Sequence, residues 1–168
     1  MNPSERVSRL FADAFKSAHA VMRRLRHSQE NLASLMPLDA ARMASFGNEE
    51  HMRLDAFIQR FQSAQDILDA QVLRGLLALE EVDLIGKTPR DISNLLEKYG
   101  IIEAAAGWRD FRDLRNTMAH EYPDEPEVQV DRLNRAYASI DELVAVLNRV
   151  QARVTENGLA DLSAYPPL

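Results

Sequence analysis

Apolar residues recur along this chain at steps of three and four, with polar and charged residues between them. That is the pattern of helices that each bury one face. In the first segment Val7, Leu10, Phe11, Phe15, Ala18, Met22, Leu25, Leu32 and Leu35 form one stripe. With Ser4 as N-cap, the stripe predicts a helix running to about Met36, ahead of Pro37. The connection PLDAARMASFG has room for a helical turn of its own. Asn48 is placed to cap a second long helix, whose apolar row is Leu54, Phe57, Phe61, Ala64, Leu68, Val72 and Leu76. Its first-turn acids suit the helix dipole. Gly86 marks a loop, and TPRD then opens a short helix with Thr88 as cap, Pro89 at the first helical position and Asp91 reaching back. Gly100 closes it. A fourth helix is expected from about Glu103 to His120 or Glu121, broken by PDEPE. A last helix is expected from about Pro126 to Thr155, with Val130, Leu133, Tyr137, Ile140, Val144, Leu147 and Val154 as its stripe.

Three long helices and a shorter one predict an all-α fold, an antiparallel (up-and-down) four-helix bundle with an additional short helix. We expect one helical domain over residues 1–155 and a C-terminal tail, 156–168, that is irregular or packs as an arm.

Composition narrows the field. Of the 168 residues, 46% are hydrophobic and only 6 are glycine, which suits helices and excludes general disorder. No cysteine is present, so disulfides and thiolate metal sites are excluded. No apolar run approaches the roughly 20 residues of a membrane span. The N-terminal stretch lacks a signal-peptide core, so a cytoplasmic protein with no membrane partner is expected. The net charge of −6 argues against broad binding to nucleic acid but leaves room for a local basic site. Two arginine clusters stand out, Arg23, Arg24 and Arg26 in the first helix and Arg109, Arg112 and Arg115 in the fourth.

The chemistry concentrates in RNTMAHEY, from Arg115 to Tyr122. At about 100° per residue, Trp108, Phe111, Leu114 and Met118 share the face toward the core. Arg112, Asn116 and His120 form a row on the flank turned away from it, and Arg115, Ala119 and Tyr122 lie at the core's edge. A guanidinium holds a phosphate in fixed geometry and keeps its charge, and an imidazole takes or gives a proton near neutral pH. Asn116, one turn before His120, either orients the ring or is simply exposed. The competing reading is an exposed histidine that only stabilises a helix C-terminus. One histidine is a thin inventory for acid–base cleavage, and two copies across a two-fold axis would supply both acid and base. His19, His27 and His51 have no partner at metal-ligand spacing, so neither a metal nor a cofactor is expected. Trp108 reads as core rather than as a base-stacking platform.

Arg115, four residues, His120, one residue and Tyr122 resembles the R-x4-H-x-Y signature of the HEPN superfamily. It looks closest to the HepT-like toxins and the nucleotidyltransferase substrate-binding proteins. The preceding TPRDISNLLEKYGII is similar to the short helix and glycine turn before the motif helix in that group, and the resemblance covers roughly residues 50 to 150. It implies a helical homodimer whose two motifs meet in a cleft, acting as a metal-independent endoribonuclease. Arg115 and His120 would be catalytic, with Asn116 and Arg112 supporting. It further implies a toxin–antitoxin pair in which a small nucleotidyltransferase antitoxin AMPylates Tyr122 and silences cleavage of RNA. The alternative is a non-catalytic helical partner of a nucleotidyltransferase. The long N-terminal helix, the acidic PDEPE and the negative net charge depart from a minimal member of the family.

Overall fold

The structure, a computed structural model, describes the backbone of residues 3–120 and 125–168, and the side chains of residues 4–118 and 125–168. The described residues are mostly helical, joined by turns and irregular connections, with no strand among them, so the all-α expectation holds. The helices are α1 (Pro3–Leu32), α2 (Ala40–Ala44), α3 (Asn48–Ile67), α4 (Leu73–Leu79), α5 (Pro89–Lys98), α6 (Ala105–His120), α7 (Pro126–Ala138) and α8 (Ile140–Glu156). None of them is long and apolar enough to cross a membrane.

Local chemistry explains most boundaries. The α5 start forms as expected: Thr88 Oγ1 accepts from the Asp91 N–H at 3.2 Å, and the Asp91 carboxylate accepts from the Thr88 N–H at 2.8 Å. The Thr88 hydroxyl, 2.7 Å from the same carboxylate, and the Thr88 N–H hold the Asp91 carboxyl below its ordinary pKa. Gly100 ends the helix at φ 69°, a left-handed conformation that costs glycine little. The first helix stops at Leu32 rather than Met36. Past that point the Arg42 guanidinium collects the free carbonyls of Ser34 and Leu35, at 2.7 and 3.1 Å. At the start of α3 the cap is Gly47, not Asn48, with Glu50 Oε2 accepting the Gly47 N–H at 3.0 Å.

Two differences from the sequence expectation matter more. The last long helix is two helices, divided at Ser139. Its hydroxyl donates to Ala136 O at 2.8 Å, and its N–H is shared between the carbonyls of Arg135 and Ala136. A serine that turns back on its own helix in this way competes with helix continuation. The second long helix contains a π-helical segment, Leu68–Val72, between α3 and α4, in which the Leu73 N–H bonds to the Leu68 carbonyl five residues back. The cause lies in the spacing. Ala64, Leu68, Val72 and Leu76 follow one another at steps of four, and each is at most 1% exposed. In a regular α-helix each such step drifts by about 40°, so the row would leave the core by Leu76. A wider turn keeps it facing inward.

One contiguous apolar cluster fills the interior, running from Phe11 to Leu162. In it α1 packs along α3, its π continuation, α4 and α8; α3 also meets α6, α5 meets α6, and α6 meets α7. The tail packs as an arm. Leu162 is 2% exposed, and the Tyr165 ring lies 5.7 Å from Phe15 and 5.4 Å from His19. His19 Nε2 sits 2.8 Å from the Pro166 carbonyl, which makes this histidine a satisfied core residue.

Candidate functional site

Helix α6 is anchored at its start, where the Ala105 N–H donates to Glu97 Oε2 of α5 at 2.8 Å. Trp108 (2% exposed) and Leu114 (4%) are buried, and Phe111 and Met118 pack against the same core. Phe111 meets Trp108 edge-on, with centroids 6.1 Å apart. The inner face is therefore the one the helical wheel assigns.

The polar residues of α6 face an acidic pair on the neighbouring helix. Asp69, inside the π segment, accepts three bonds. Arg112 Nε and Nη2 reach its two oxygens at 2.9 and 2.8 Å, and Trp108 Nε1 donates to Oδ1 at 3.1 Å. Both partners of this two-pronged pair are half-buried, which strengthens it relative to a surface ion pair. One turn earlier, Asp66 holds Arg115 through Nη2, and Arg115 Nη1 donates to Asn116 Oδ1 at 3.2 Å. Arg115 Nε is buried with no partner among the described residues. A guanidinium carries more N–H donors than these two acceptors occupy, so Arg115 is fixed in direction with capacity left for an anion.

The structure thus changes the row drawn from the sequence. Arg112, expected to point away from the core beside Asn116 and His120, turns instead onto Asp69. Its long side chain crosses the flank of the helix and ends half-buried, while Asn116 is exposed. The helix backbone extends to His120 as its final residue. The side chains of Ala119 and His120, and Tyr122 altogether, lie outside the described residues. Among the described residues no group of three or more His, Asp or Glu is placed to hold a metal ion.

Asp66 and Asp69 were not singled out in the sequence. The available signal was two acids three residues apart flanking Leu68, inside an otherwise apolar row, which puts both on one side of the helix. Comparison with protein-family models, curated proteins and solved structures gave no significant match.

Proposed function

We propose that the protein is a HepT-like toxin of the HEPN superfamily: a homodimeric, metal-independent endoribonuclease in which His120 moves the proton and Arg115 stabilises the phosphorane. The observation that carries this reading is the carboxylate-anchored Arg115, five residues before a histidine at a helix end. Held by Asp66 and braced on Asn116, the guanidinium is pre-oriented, and ordering it costs little when a phosphate arrives. Arg112, locked to the Asp69 carboxylate that also accepts from Trp108, supports the same helix rather than facing substrate. In this reading the helices form an antiparallel four-helix bundle of α1, α3 with α4, α6, and α7 with α8. The successive contacts of α1 with α3, α3 with α6, α6 with α7, and α8 with α1 support that order. The partner is a small nucleotidyltransferase antitoxin that AMPylates Tyr122.

The test is RNA cleavage by the purified protein in the presence of EDTA. His120→Ala and Arg115→Ala are each expected to lower the rate by roughly 10²–10⁴-fold with the helical circular dichroism spectrum retained. Cleavage that survives both substitutions overturns the reading. A second reading, a non-catalytic partner of a nucleotidyltransferase, is favoured by one observation: both motif-region arginines are already engaged by carboxylates. It expects a tight complex with the nucleotidyltransferase and no RNA cleavage at any protein concentration.

A further inference from the structure

Away from α6, the outer side of α1 gathers positive charge around an open cavity of about 720 Å³. Arg23, Arg24, Arg26, His27 and Arg60 line it, with Glu30 and the carboxyl-bearing Leu168 beside them. A second cavity of about 240 Å³ continues from the first, sharing His27 and Arg60 and extending to Asn31 and Arg53. Together they make a groove between α1 and α3. From Ala20 to Asn31 it follows α1 for about 16 Å at 1.5 Å per residue.

The charges here are only partly balanced. Arg26 pairs with Asp141 at 2.5 Å, Arg53 pairs with Glu49, and Glu30 lies 3.8 Å from His27. Among the described residues Arg23 and Arg24 have no carboxylate partner, and both are exposed. Arg60 has none either; Nη1 donates instead to the buried Ser28 hydroxyl at 2.6 Å and lies 3.5 Å from the Arg24 carbonyl. Three guanidiniums with no paired carboxylate among the described residues therefore line one groove, in a chain whose net charge is −6. Their mutual repulsion is unfavourable unless an anion occupies the space between them. Arg60 is held in place by α1 through Ser28, which fixes one wall of the groove.

We propose that this groove binds the phosphodiester backbone of single-stranded RNA; the identification of the polyanion as RNA rests on the nuclease reading above. Its length suits a run of phosphates better than a single one. Neither cavity is lined by Phe, Tyr or Trp, and His27 is the ring the two share, so binding is chiefly electrostatic and indifferent to sequence. The groove and the Arg115 arrangement use different sides of α3. Arg60 and Asp66 are six residues apart, about 120° around the helix, and reach α1 and α6 respectively.

The test is fluorescence anisotropy of a labelled single-stranded RNA, with the His120→Ala chain so that RNA survives the measurement. Arg23→Gln/Arg24→Gln and Arg23→Glu/Arg24→Glu are compared with it across a salt series. The affinity is expected to fall tenfold or more. The plot of log affinity against log salt should flatten by about 1.4, two phosphate contacts at about 0.7 each for a single strand. The glutamine pair keeps the test decisive if charge reversal disturbs folding. Unchanged affinity and slope, or no RNA binding by the His120→Ala chain, overturns the groove assignment. So does competition by polyglutamate equal to that by unlabelled RNA, or a change in oligomeric state by light scattering in place of lost binding. Binding that depends on Arg23 and Arg24 in a protein that cleaves no RNA leaves the groove standing and removes the nuclease reading. Cleavage with arginine-independent binding does the reverse.

Discussion

Asp69 is the residue on which α6 is fastened. Three donors end on its two oxygens, one of them the indole N–H of a tryptophan that is 2% exposed. Asp69→Ala leaves that N–H and the Arg112 guanidinium without their acceptor. It should destabilise the protein by about 2–3 kcal/mol, read as a lower urea midpoint at unchanged slope. Asp69→Asn keeps an acceptor and should cost less. At this scale the sequence was half legible. Spacing alone assigned the buried face of Trp108 and Leu114, because the direction of Cβ follows from helix geometry. It misplaced Arg112, because a long flexible side chain ends well away from where its Cα points. Nothing in a helical wheel ties Arg112 to a carboxylate 43 residues earlier.

Among the elements, those with local signals formed where the sequence put them. The Thr88–Pro89–Asp91 start and the Gly100 stop of α5 depend on residues within one turn, so pattern reading suffices. The division at Ser139 and the π segment depend instead on what the rest of the core demands, and the apolar stripes ran through both without a break. The junction of α1 with α4 shows how tertiary fit overrides propensity. Gly75 sits inside α4, where alanine would ordinarily gain close to 1 kcal/mol. Here an added Cβ would meet Phe11 Cδ2 at 3.0 Å, and the Phe11 ring is itself buried and has little room to retreat. Gly75→Ala should therefore destabilise, by about 1–2 kcal/mol, in thermal or chemical unfolding. A gain in stability would mean that α1 can shift away from α4.

For the whole molecule, the apolar cluster joins α1 to the C-terminal arm, and the arm's fastenings are divided between α1 and α8. Gln151 donates to the Tyr165 carbonyl at 2.5 Å, Asn148 and Leu168 exchange bonds at 2.8 and 3.1 Å, and Ser8 donates to the Leu159 carbonyl at 3.1 Å. Leu162→Ala should thus cost about 2–4 kcal/mol and lower the main unfolding transition, where a peripheral tail would give less than about 0.5 kcal/mol. An extra, earlier transition with the main one unmoved would show that the arm detaches by itself.

The π turn also governs how this chain tolerates changes of length. Between Ala64 and Leu77 the buried apolar positions are separated by four, four, one, three and one residues. Removing the exposed Ala70 would make those steps four, three, one, three and one, the rhythm of an uninterrupted α-helix. The rod from Asn48 to Leu79 therefore carries one residue more than its inner stripe needs, stored in the turn that presents Asp69. A chain shortened there keeps its core in phase. A chain shortened elsewhere in the rod swings everything on one side of the cut by about 100°. Variation in length is channelled to a single turn, and that turn holds the carboxylate on which α6 is fastened.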